Sequence, residues 1–495
     1  MKRREKMKKT ICILLVLISL LTMALASCND ASNASDAEVS AGPQAYVPHL
    51  GETDAYNGKV LTILSSHENN NYSKEAFSAI EITNEPINDA SYERNLQLEA
   101  NYGFTIETVW QDAGGYLARV RDDKAAGIDN YDVMVTGLQM LSTLAAEGFF
   151  LDLNSIENSN LHLDQPWWDQ PFNDDMSVAG KLYFATGDIV MLDDEYTRCI
   201  LYNKDIIEDN NLENPAQLVY DHMWTLDALY EMAKVASHEG DGDGKMTVTG
   251  GDVWGLVQAS FESYTLILGS DCPLVSKDED DIPRLAMMDA RNVEAFEKVW
   301  EICTDRETTA YTEQWYSWDA SDAYKVCENF QKGQSLFYTI TINAVSGKGL
   351  READIRYGIL PIPMYDEEQE AYCTTINPYH FHAISIKENC KDVDFVTFAL
   401  EALAWTGKEY ITPEYYERTL KNKRILDDDD SAEMLDIIFS NRIADVSICY
   451  NWDDCIQYYN RIFSAGDGGL ASLVESEQDQ FNFEMEKTLE FFTKD

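Results

Sequence analysis

The chain has 495 residues, of which 45% are hydrophobic, a size that suits two to four domains or one large two-lobed body. Its 38 basic residues face 87 acidic residues, so the net charge at pH 7 is −49. Such an acidic surface repels phosphate backbones and anionic lipid head groups and therefore argues against nucleic-acid binding. The ordinary hydrophobic content argues equally against wholesale disorder and against a polytopic membrane protein.

A secretory signal is predicted at the amino terminus. Six of the first ten residues are basic, and a predominantly apolar run follows from 11 to 25. This run is shorter than the roughly 20 residues that span a bilayer. It ends in Leu-Ala-Ser-Cys at positions 25–28, which resembles the lipobox of a lipoprotein signal. The resemblance implies removal of residues 1–27 and lipidation of Cys28; an ordinary signal with an incidental cysteine is the alternative.

The segment behind the signal is predicted to be a flexible tether. Asn, Asp, Ala, Ser and Gly dominate residues 28–57, a composition typical of linkers, so the folded body is expected to begin at residue 58. Without the leader, 32 basic residues face 86 acidic residues, a charge of −54. The eight cysteines after Cys28 show no disulfide framework in their spacing, and we expect most of them to be buried thiols.

Strands and helices alternate through the first part of the body, as in parallel α/β domains. Strands are predicted at 60–64, 104–109 and 131–136. An amphipathic helix is predicted between the first two strands, through Ala100, and a second helix follows the third strand with Leu138, Leu141 and Leu144 on one face. These elements predict one complete α/β unit.

A second α/β unit is predicted from residue 198 onward. It opens with a strand at 198–203 and a helix capped by Thr225. Farther along the chain, helices are predicted at 293–303 and 320–332, strands at 335–342, 357–362 and 381–386, a helix carrying Val396 to Leu403 and, near the end, another helix capped by Asp430. The chain is therefore expected to pass from one lobe to the other and back, with a ligand cleft between them. The predicted boundaries are 58–197 plus 343–408 for lobe 1, and 198–342 plus 409–495 for lobe 2 and the C-terminal helices.

Catalytic motifs are absent from the sequence. We find no Gly-x-Ser-x-Gly elbow, no His-Glu-x-x-His and no Cys-x-x-Cys, so the chain is predicted not to be an enzyme and to require no cofactor. A surface glycoside hydrolase is the alternative, since paired acids and aromatic residues also build such sites. It would need two carboxylates about 5–10 Å apart across a cleft, and no local pattern nominates them.

An acidic loop at 239–252 resembles a calcium-binding loop. Acids alternate at Glu239, Asp241 and Asp243, and a glycine occupies the sixth position, where calcium loops need a sharp turn. The twelfth position is Gly250 in place of a bidentate glutamate, and Asp252 comes two residues late. We expect one structural calcium ion at Glu239, Asp241, Asp243 and Asp252, with a plain solvated turn as the alternative.

Aromatic residues give the strongest indication of a ligand. The chain contains 10 Trp and 27 Tyr, and several fall in predicted loops: 167–168, 315–318, 379, 405 and 450–452. Sugar rings stack their C–H faces on aromatic rings, while their hydroxyls bind acids and amides. Any one of these residues is more often part of a core, but a cluster in an acidic cleft would suit an uncharged, hydroxyl-rich ligand better than an anion.

The order of several short motifs resembles the extracellular solute-binding proteins of ABC importers, in the carbohydrate-binding branch that includes maltose-binding protein. The motifs are Tyr-Asp-Val-Met at 131–134, Gly-Lys-Leu-Tyr-Phe-Ala-Thr-Gly-Asp at 180–188, Leu-Tyr-Asn-Lys at 201–204, Trp-Thr-Leu at 224–226, Gly-Gln-Ser-Leu-Phe-Tyr at 333–338 and Tyr-Gly-Ile-Leu-Pro-Ile-Pro at 357–363. Pro-Trp-Trp-Asp at 166–169, Thr-Pro-Glu-Tyr-Tyr at 412–416 and Ser-Ala-Glu-Met-Leu at 431–435 add a likeness to long lipoproteins of anaerobic Gram-positive bacteria.

The resemblance implies a two-lobed α/β fold of the periplasmic-binding-protein type (type II), which closes around its ligand by hinge bending and docks on a permease. Carried over by position, it implies ligand-binding roles for His67, Glu68, Gln139, Asp188, Glu195, Phe261, Glu262, Tyr338, Asn343, Tyr450 and Trp452. Many sugar binders have a tryptophan on the returning segment, where this chain has Thr-Ile-Asn at 341–343. That difference leaves the depth of ring stacking open.

The sequence therefore predicts a lipid-anchored receptor on the outer face of the cytoplasmic membrane. We expect it to be a monomer and to deliver an oligosaccharide or another carbohydrate to an ABC-type permease. A peptide- or amino-acid-binding receptor of the same fold is a further alternative. The sequence does not identify the ligand, the permease or the disulfide state.

Overall fold

The structure is a computed structural model that describes residues 50, 53–67, 77–248, 250–314, 328–346, 350, 353–416, 429–466 and 468–493. The predicted leader, Cys28 and Glu68 lie outside these residues. The strands, in chain order, are β1 (Val60–His67), β2 (Thr105–Asp112), β3 (Val133–Gly137), β4 (Arg198–Asn203), β5 (Trp254–Gln258), β6 (Val275–Lys277), β7 (Pro283–Leu285), β8 (Thr309–Tyr311), β9 (Ser335–Thr341), β10 (Tyr357–Leu360) and β11 (His382–Ile386).

The helices alternate with these strands and continue beyond the last one. They are α1 (Pro86–Tyr102), α2 (Tyr116–Ala126), α3 (Leu138–Ala146), α4 (Gln170–Met176), α5 (Leu192–Glu195), α6 (Lys204–Asp209), α7 (Pro215–Tyr220), α8 (Leu226–Ala236), α9 (Ser263–Gly269), α10 (Ala290–Thr304), α11 (Glu328–Gln331), α12 (Asn343–Ser346), α13 (Val393–Thr406), α14 (Thr412–Glu414), α15 (Asp429–Ser440), α16 (Val446–Tyr450), α17 (Gln457–Ala465) and α18 (Leu470–Phe492). A π-helical turn at Gly407–Ile411 continues α13.

The first lobe is built on a four-stranded sheet in the order β11-β3-β1-β2. β1 pairs in parallel with β2 and β3, and β11 runs antiparallel to β3. Every residue of β3 is buried, because the sheet is covered on both faces, as parallel strands generally require. Helix α13 packs against this sheet through Phe395 and Phe398, which meet the rings of Tyr56 and Phe104.

The second lobe is built on a five-stranded sheet in the order β10-β4-β9-β5-β8. β5 is parallel to both β8 and β9, whereas β4 is antiparallel to β9 and β10. Trp224 is fully buried against this sheet: its ring lies 5.3 Å from Phe337, and its indole N–H donates to the carbonyl of Pro361 at 3.0 Å. The predicted two-lobed α/β architecture is confirmed by these two sheets.

The two lobes are joined by neighbouring chain segments that pair with one another. Thr197 forms a β-bridge with Ile376. On either side of it, the amide of Arg198 donates to the carbonyl of Thr375 and the amide of Asn377 donates to the carbonyl of Tyr196, both at 2.9 Å. A third segment adds to them, since Thr374 bridges Arg442. The crossing between lobes is thus a small strand-like ribbon rather than a loose linker.

Three details differ from the sequence prediction. The return to lobe 1 was placed at residue 343, but β10 pairs with β4 in the second sheet, so the chain returns only after Leu360. Asp430 was predicted to cap a helix near the end of the chain; it lies inside α15, where its carboxylate accepts from Tyr220 at 3.3 Å. The strands β5 and β8 were not predicted.

The C-terminal helices pack against both lobes. α16 and α18 contact α3 of the first lobe, and α17 contacts α9 and α10 of the second. Among the described residues, no helix combines the length and apolar character that crossing a membrane requires. The seven described cysteines outside the tether all carry free thiols and five of them are buried, which confirms the expectation for those residues.

Candidate functional site

The functional edges of the two sheets lie where the chain crosses between them. In the first sheet, β1, β2 and β3 end at one edge, and β11 begins there. In the second sheet, β5, β8, β9 and β10 end at one edge, where β4 begins. Open α/β sheets bind ligands beyond the carboxyl ends of their strands. The crossing ribbon ends at β4 and at β11, so it joins these two edges and defines a site between them.

A buried ion pair lies at the second-lobe edge. Arg198 begins β4 with 2% of its surface exposed, and its Nη1 pairs with the carboxylate of Glu262, which follows β5 and is 3% exposed. Its Nη2 donates to the hydroxyl of Tyr264 at 3.2 Å, and that hydroxyl donates to the carbonyl of Ile376 in the crossing ribbon at 3.2 Å. The ring of Phe261 lies 5.9 Å from the guanidinium. The ion pair is therefore fixed to both the sheet and the ribbon.

The first-lobe edge contributes a loop that precedes β11. A Cβ atom at Gly137 would lie 2.1 Å from the carbonyl oxygen of Tyr379, so only glycine lets this loop approach the end of β3. The amide of Gln139 donates to the carbonyl of Pro378 at 3.2 Å, which holds the loop on the first turn of α3. Tyr379 itself stays 39% exposed at this edge.

Side chains of the first-lobe edge lie close enough to the second-lobe edge to be affected by the charge of Arg198. The ring of His380 lies 4.9 Å from that of Tyr196 in the crossing ribbon. Burial and the positive charge of Arg198 lower the pKa of His380 to about 4, so its imidazole is neutral at physiological pH. Burial raises the pKa of Tyr379, whose hydroxyl is close enough to Gln139 to be affected by it. The site thus combines one compensated ion pair, a neutral imidazole, an amide and a partly exposed phenol.

Several residues predicted to bind ligand lie at these edges: Gln139, Phe261, Glu262 and Asn343. Asn343 follows β9 and accepts a hydrogen bond from Thr341 at 2.6 Å, and Thr341 is the strand partner of Arg198. His67 is the last residue of β1, paired with Asp112 of β2, although its side chain is outside what the structure describes. The structure therefore brings these segments to one place, and their binding roles stay predictions.

Three of the predicted residues lie in packed interior positions. Tyr338 sits inside β9, fully buried, with its ring 5.9 Å from Phe330. Trp452 is 3% exposed, and its indole N–H donates to Thr488 of α18 at 3.0 Å. The ring of Tyr450 stacks on Trp452 at 5.6 Å. Tyr338 therefore packs within the second-lobe core, whereas Tyr450 and Trp452 pack against the last helix.

Asp188 and Glu195 are predicted site residues that lie around the crossing ribbon. Asp188 accepts from the hydroxyl of Thr412 and pairs with Lys408 at 3.3 Å, while burial raises its pKa. Glu195 ends α5, is 4% exposed, and its charge helps to raise the pKa of Tyr415. The binding roles of both residues stay predictions.

Asp188 lines a separate cavity of about 590 Å³ on the other side of the ribbon. The cavity contains Arg442, which pairs with Asp169 at 2.7 Å and Asp194 at 3.1 Å and also donates to the hydroxyl of Thr197 at 3.2 Å. Strand alternation explains the two sides, because Thr197 points away from the edge that Arg198 faces. The ion pairs of this cavity tie the ribbon to the C-terminal segment.

The acidic loop predicted to bind calcium brings three carboxylates together. Ligand oxygens of Glu239, Asp241 and Asp252 lie within 4.8 Å of one another. Asp252 is 2% exposed, and its two oxygens accept from the amides of Gly240 at 2.7 Å and Thr247 at 2.6 Å. Asp243 lies outside this group. The arrangement has the oxygen chemistry that calcium prefers, and its occupancy stays a prediction.

Sequence reasoning missed Arg198 as a site residue and treated Tyr379 only as one of several loop aromatics. A signal for Arg198 is present: it opens the otherwise apolar stretch Arg-Cys-Ile-Leu-Tyr-Asn, and an arginine in a buried strand needs an anionic partner. The identity of that partner is not readable locally, because Glu262 lies 64 positions further along the chain.

Comparison with known proteins gives a family and a fold. The family model for bacterial extracellular solute-binding proteins matches residues 95–417, more than half of the chain. Among proteins of curated function, no sequence match to the chain is found.

Many solved structures share the fold. The sugar-binding protein MalE of Xanthomonas citri has 12% identity and a TM-score of 0.59, covering 88% of this chain and 100% of that protein. An ABC substrate-binding protein of Listeria monocytogenes in complex with cycloalternan has 14% identity and a TM-score of 0.54, covering 86% and 99%. RafE of Streptococcus pneumoniae, in its apo form, has 17% identity and a TM-score of 0.52, covering 86% and 98%.

Proposed function

Because the chain belongs to the bacterial extracellular solute-binding proteins, we propose that it is the receptor of an ABC importer and binds a carbohydrate between its two sheet edges. As a member of a family of binding proteins, it is a binding protein and not an enzyme, so the glycoside hydrolase alternative is set aside. The observation that carries the carbohydrate proposal is the chemistry of the edges: a compensated ion pair, an amide and a partly exposed tyrosine.

Each of these groups suits a polyol. A hydroxyl both donates and accepts, so it can bind an acceptor such as Glu262 and a donor such as Gln139 with the same group. Tyr379 offers an aromatic face with a polar edge at the same place. Structures of the same fold include complexes with cycloalternan and with maltose, which supports a sugar as the ligand class.

A ligand screen tests this proposal. The mature chain is heated with neutral oligosaccharides, amino acids and short peptides, and bound ligand raises the melting temperature by mass action. We expect a response to at least one oligosaccharide, followed by isothermal titration of the best one. A response to peptides alone would overturn the carbohydrate proposal and leave a peptide receptor of the same fold.

A matched pair of tyrosine substitutions locates the site. Tyr379→Ala should weaken binding of the responding saccharide by about tenfold or more, on the scale of the roughly 1–3 kcal/mol that a nucleic-acid base gains when it stacks on an aromatic side chain. Tyr220→Ala is the control, because Tyr220 is also 39% exposed but lies on α7 at the outer surface of the second lobe. Equal loss in both variants would show that the binding site lies elsewhere.

We also propose that the receptor is a monomer, anchored to the outer face of the cytoplasmic membrane through diacylated Cys28. Two acyl chains anchor stably, at about 0.8 kcal/mol for each buried methylene, where one chain binds reversibly. Cys28→Ser should release the full chain into the culture medium and abolish labelling with radioactive palmitate. A Cys28→Ser chain that stays with the membrane fraction would contradict the anchor.

Calcium binding to the acidic loop is a separate proposal, supported by the convergence of Glu239, Asp241 and Asp252. Titration of chelator-treated protein with calcium should release or absorb heat, and Asp241→Asn should abolish that signal. Asp280→Asn, in another exposed acidic turn, is the matched control. Absence of heat up to millimolar calcium would reject the site.

A further inference from the structure

The charge balance at the second-lobe edge depends on two residues. Arg198 and Glu262 are both almost fully buried, and they form one ion pair with each other. Nη1 and Nη2 of Arg198 bind Glu262 and Tyr264, whereas its Nε is buried and has no hydrogen-bond partner among the described residues. The Nε–H group of the guanidinium therefore remains for a further acceptor.

The groups around this pair do not add a net charge to it. His380 is neutral at physiological pH because burial and Arg198 hold its pKa near 4. Phe261 and Tyr264 present their rings to the guanidinium at 5.9 and 5.8 Å. The charge of Glu313 acts on Glu262, and Glu313 already accepts from the amide and hydroxyl of Ser260 at 2.9 and 2.8 Å.

Removing either partner would change the preferred ligand charge. A buried arginine without Glu262 would be a receptor for a carboxylate, because an uncompensated buried charge is strongly unfavourable. A buried glutamate without Arg198 would favour an ammonium group for the same reason. With both present, a charged ligand group finds its counter-ion already occupied and must give up its own hydration without compensation.

We propose that the Arg198–Glu262 pair is the specificity determinant of the site and restricts it to uncharged, hydroxyl-bearing ligands. The pair excludes uronic acids through Glu262 and amino sugars through Arg198, so each residue acts against one class of competitor. This inference rests on the proposed carbohydrate function, and it names the charge class within it.

Two neutralising variants with opposite expected effects test the inference. Glu262→Gln should raise the affinity for the uronate form of a saccharide by at least tenfold relative to the neutral form. Arg198→Gln should shift preference by a similar factor toward the amino form. The probes are glucose, glucuronate and glucosamine, together with the matched forms of the oligosaccharide that binds best to the wild type.

Glu313→Gln is the matched control, because it removes one negative charge nearby and leaves the ion pair intact. An unchanged selectivity ratio in both pair variants, or an equal change in Glu313→Gln, would overturn the inference. If one variant does not fold, the other still tests the inference, because Glu262→Gln is expected to favour the uronate form and Arg198→Gln the amino form.

The proposed function fails separately from this inference. If the wild type binds no saccharide, carbohydrate recognition is rejected, and acetate still probes the ion pair. Acetate should then raise the melting temperature of Glu262→Gln but not that of the wild type. A lack of this difference would overturn the charge-balance role as well.

Discussion

Arg442 is a buried arginine that forms ion pairs with three acids. It pairs with Asp169 at 2.7 Å, Asp193 at 3.5 Å and Asp194 at 3.1 Å, and its own side chain is 7% exposed. Asp169 caps α4 in the first lobe, whereas Asp193 and Asp194 lie in α5 ahead of the ribbon. One guanidinium thus compensates acids from two separate elements.

Replacing Arg442 should be strongly destabilising. Arg442→Met keeps the length of the side chain but removes a positive charge that pairs with three acids, of which Asp169 and Asp193 are almost fully buried. This change should cost about 3–5 kcal/mol in the free energy of unfolding. Urea-induced unfolding measures the loss. Arg461→Met is the control: Arg461 is 45% exposed, its pair with Glu477 is at the surface, and a loss of about 0–1 kcal/mol is expected. Equal losses would refute the role of burial.

Asp175 should make stability depend on pH. Burial raises the pKa of Asp175 to about 7, and the negative charges of Asp445 and Asp169 add to this rise. The hydrogen bond from the Ala444 amide and the positive charge of Lys277 lower the pKa but do not cancel the effect of burial. In the window from pH 4 to 7 the folded state therefore binds more protons than the unfolded state, and this contribution to stability is lost as the pH rises.

Asp175→Asn removes that titration and keeps an acceptor for the Ala444 amide. Between pH 5 and pH 8 the wild type should therefore lose about 1–3 kcal/mol in the free energy of unfolding relative to the variant. The value is lower than complete burial would give, because Asp175 is partly exposed. Urea unfolding at pH 5, 6, 7 and 8 gives this difference directly. A wild-type minus variant difference that does not change with pH would contradict the assignment.

The paired tryptophans Trp167 and Trp168 show why the role of a single residue is difficult to predict from the sequence. Trp167 and Trp168 read as loop aromatics available to a ligand, yet both indole N–H groups donate to Glu401, at 3.1 and 2.9 Å. Glu401 is fully buried, and its pKa is raised by burial. The role of the pair depends on a carboxylate more than 230 positions away, so no local pattern could distinguish packing from binding.

At the scale of elements, the sequence predicts a helix well where neighbouring residues supply both its cap and its apolar face. The helix predicted to start at Thr225 does so: the Thr225 hydroxyl accepts from the Ala228 amide at 3.3 Å, and Leu226, Leu229 and Ala233 are buried along one face. The cap and the apolar spacing lie within one short stretch of sequence, which is why this prediction is confirmed.

The same cap provides a measurable stability effect. Thr225→Ala should lower the free energy of unfolding by about 1 kcal/mol, because an amide in the first turn of α8 loses its acceptor. Thr225→Ser retains the hydroxyl and should recover most of that loss. The comparison by urea unfolding isolates the cap; equal losses in both variants would assign the effect to the missing methyl group.

The unpredicted strands depend on neighbours that are distant in sequence. β5 reads Trp-Gly-Leu-Val-Gln, and its glycine weakens a strand prediction. In the structure a Cβ atom at Gly255 would lie 2.2 Å from the carbonyl oxygen of Ala233, so the glycine is there to let α8 pack closely on the sheet. β8 has only three residues, and its place beside β5 is set by the second-lobe sheet as a whole.

At the scale of the whole molecule, the order of elements fixed two lobes but not the points where the chain crosses between them. Alternation of strands and helices is visible along the sequence, whereas pairing of β10 with β4 is a long-range choice. The candidate site follows the same division. The resemblance to solute-binding proteins assigns Glu262 to the site from its position in the sequence. Its ion pair with Arg198 depends on how β4 and β5 are arranged within the second sheet, which the sequence does not show.

Net charge should control the stability of the whole molecule. Without its leader the chain carries −54, so repulsion among surface carboxylates opposes folding, while isolated surface ion pairs contribute only about 0–1 kcal/mol each. Raising NaCl from about 10 to 150 mM shortens the Debye length from roughly 30 to 8 Å and screens this long-range repulsion. The buried pairs of Arg198 and Arg442 are screened much less.

The free energy of unfolding of the mature chain should therefore rise across that salt range, when measured by urea unfolding after removal of divalent cations. Arg442→Met should show the same rise from a lower starting value, because its missing pair is buried and contributes little to the salt dependence. A stability that falls with added NaCl would mean that surface ion pairs outweigh the net repulsion. In that case local ion pairs would compensate the surface carboxylates, and the net charge would not control the stability of the molecule.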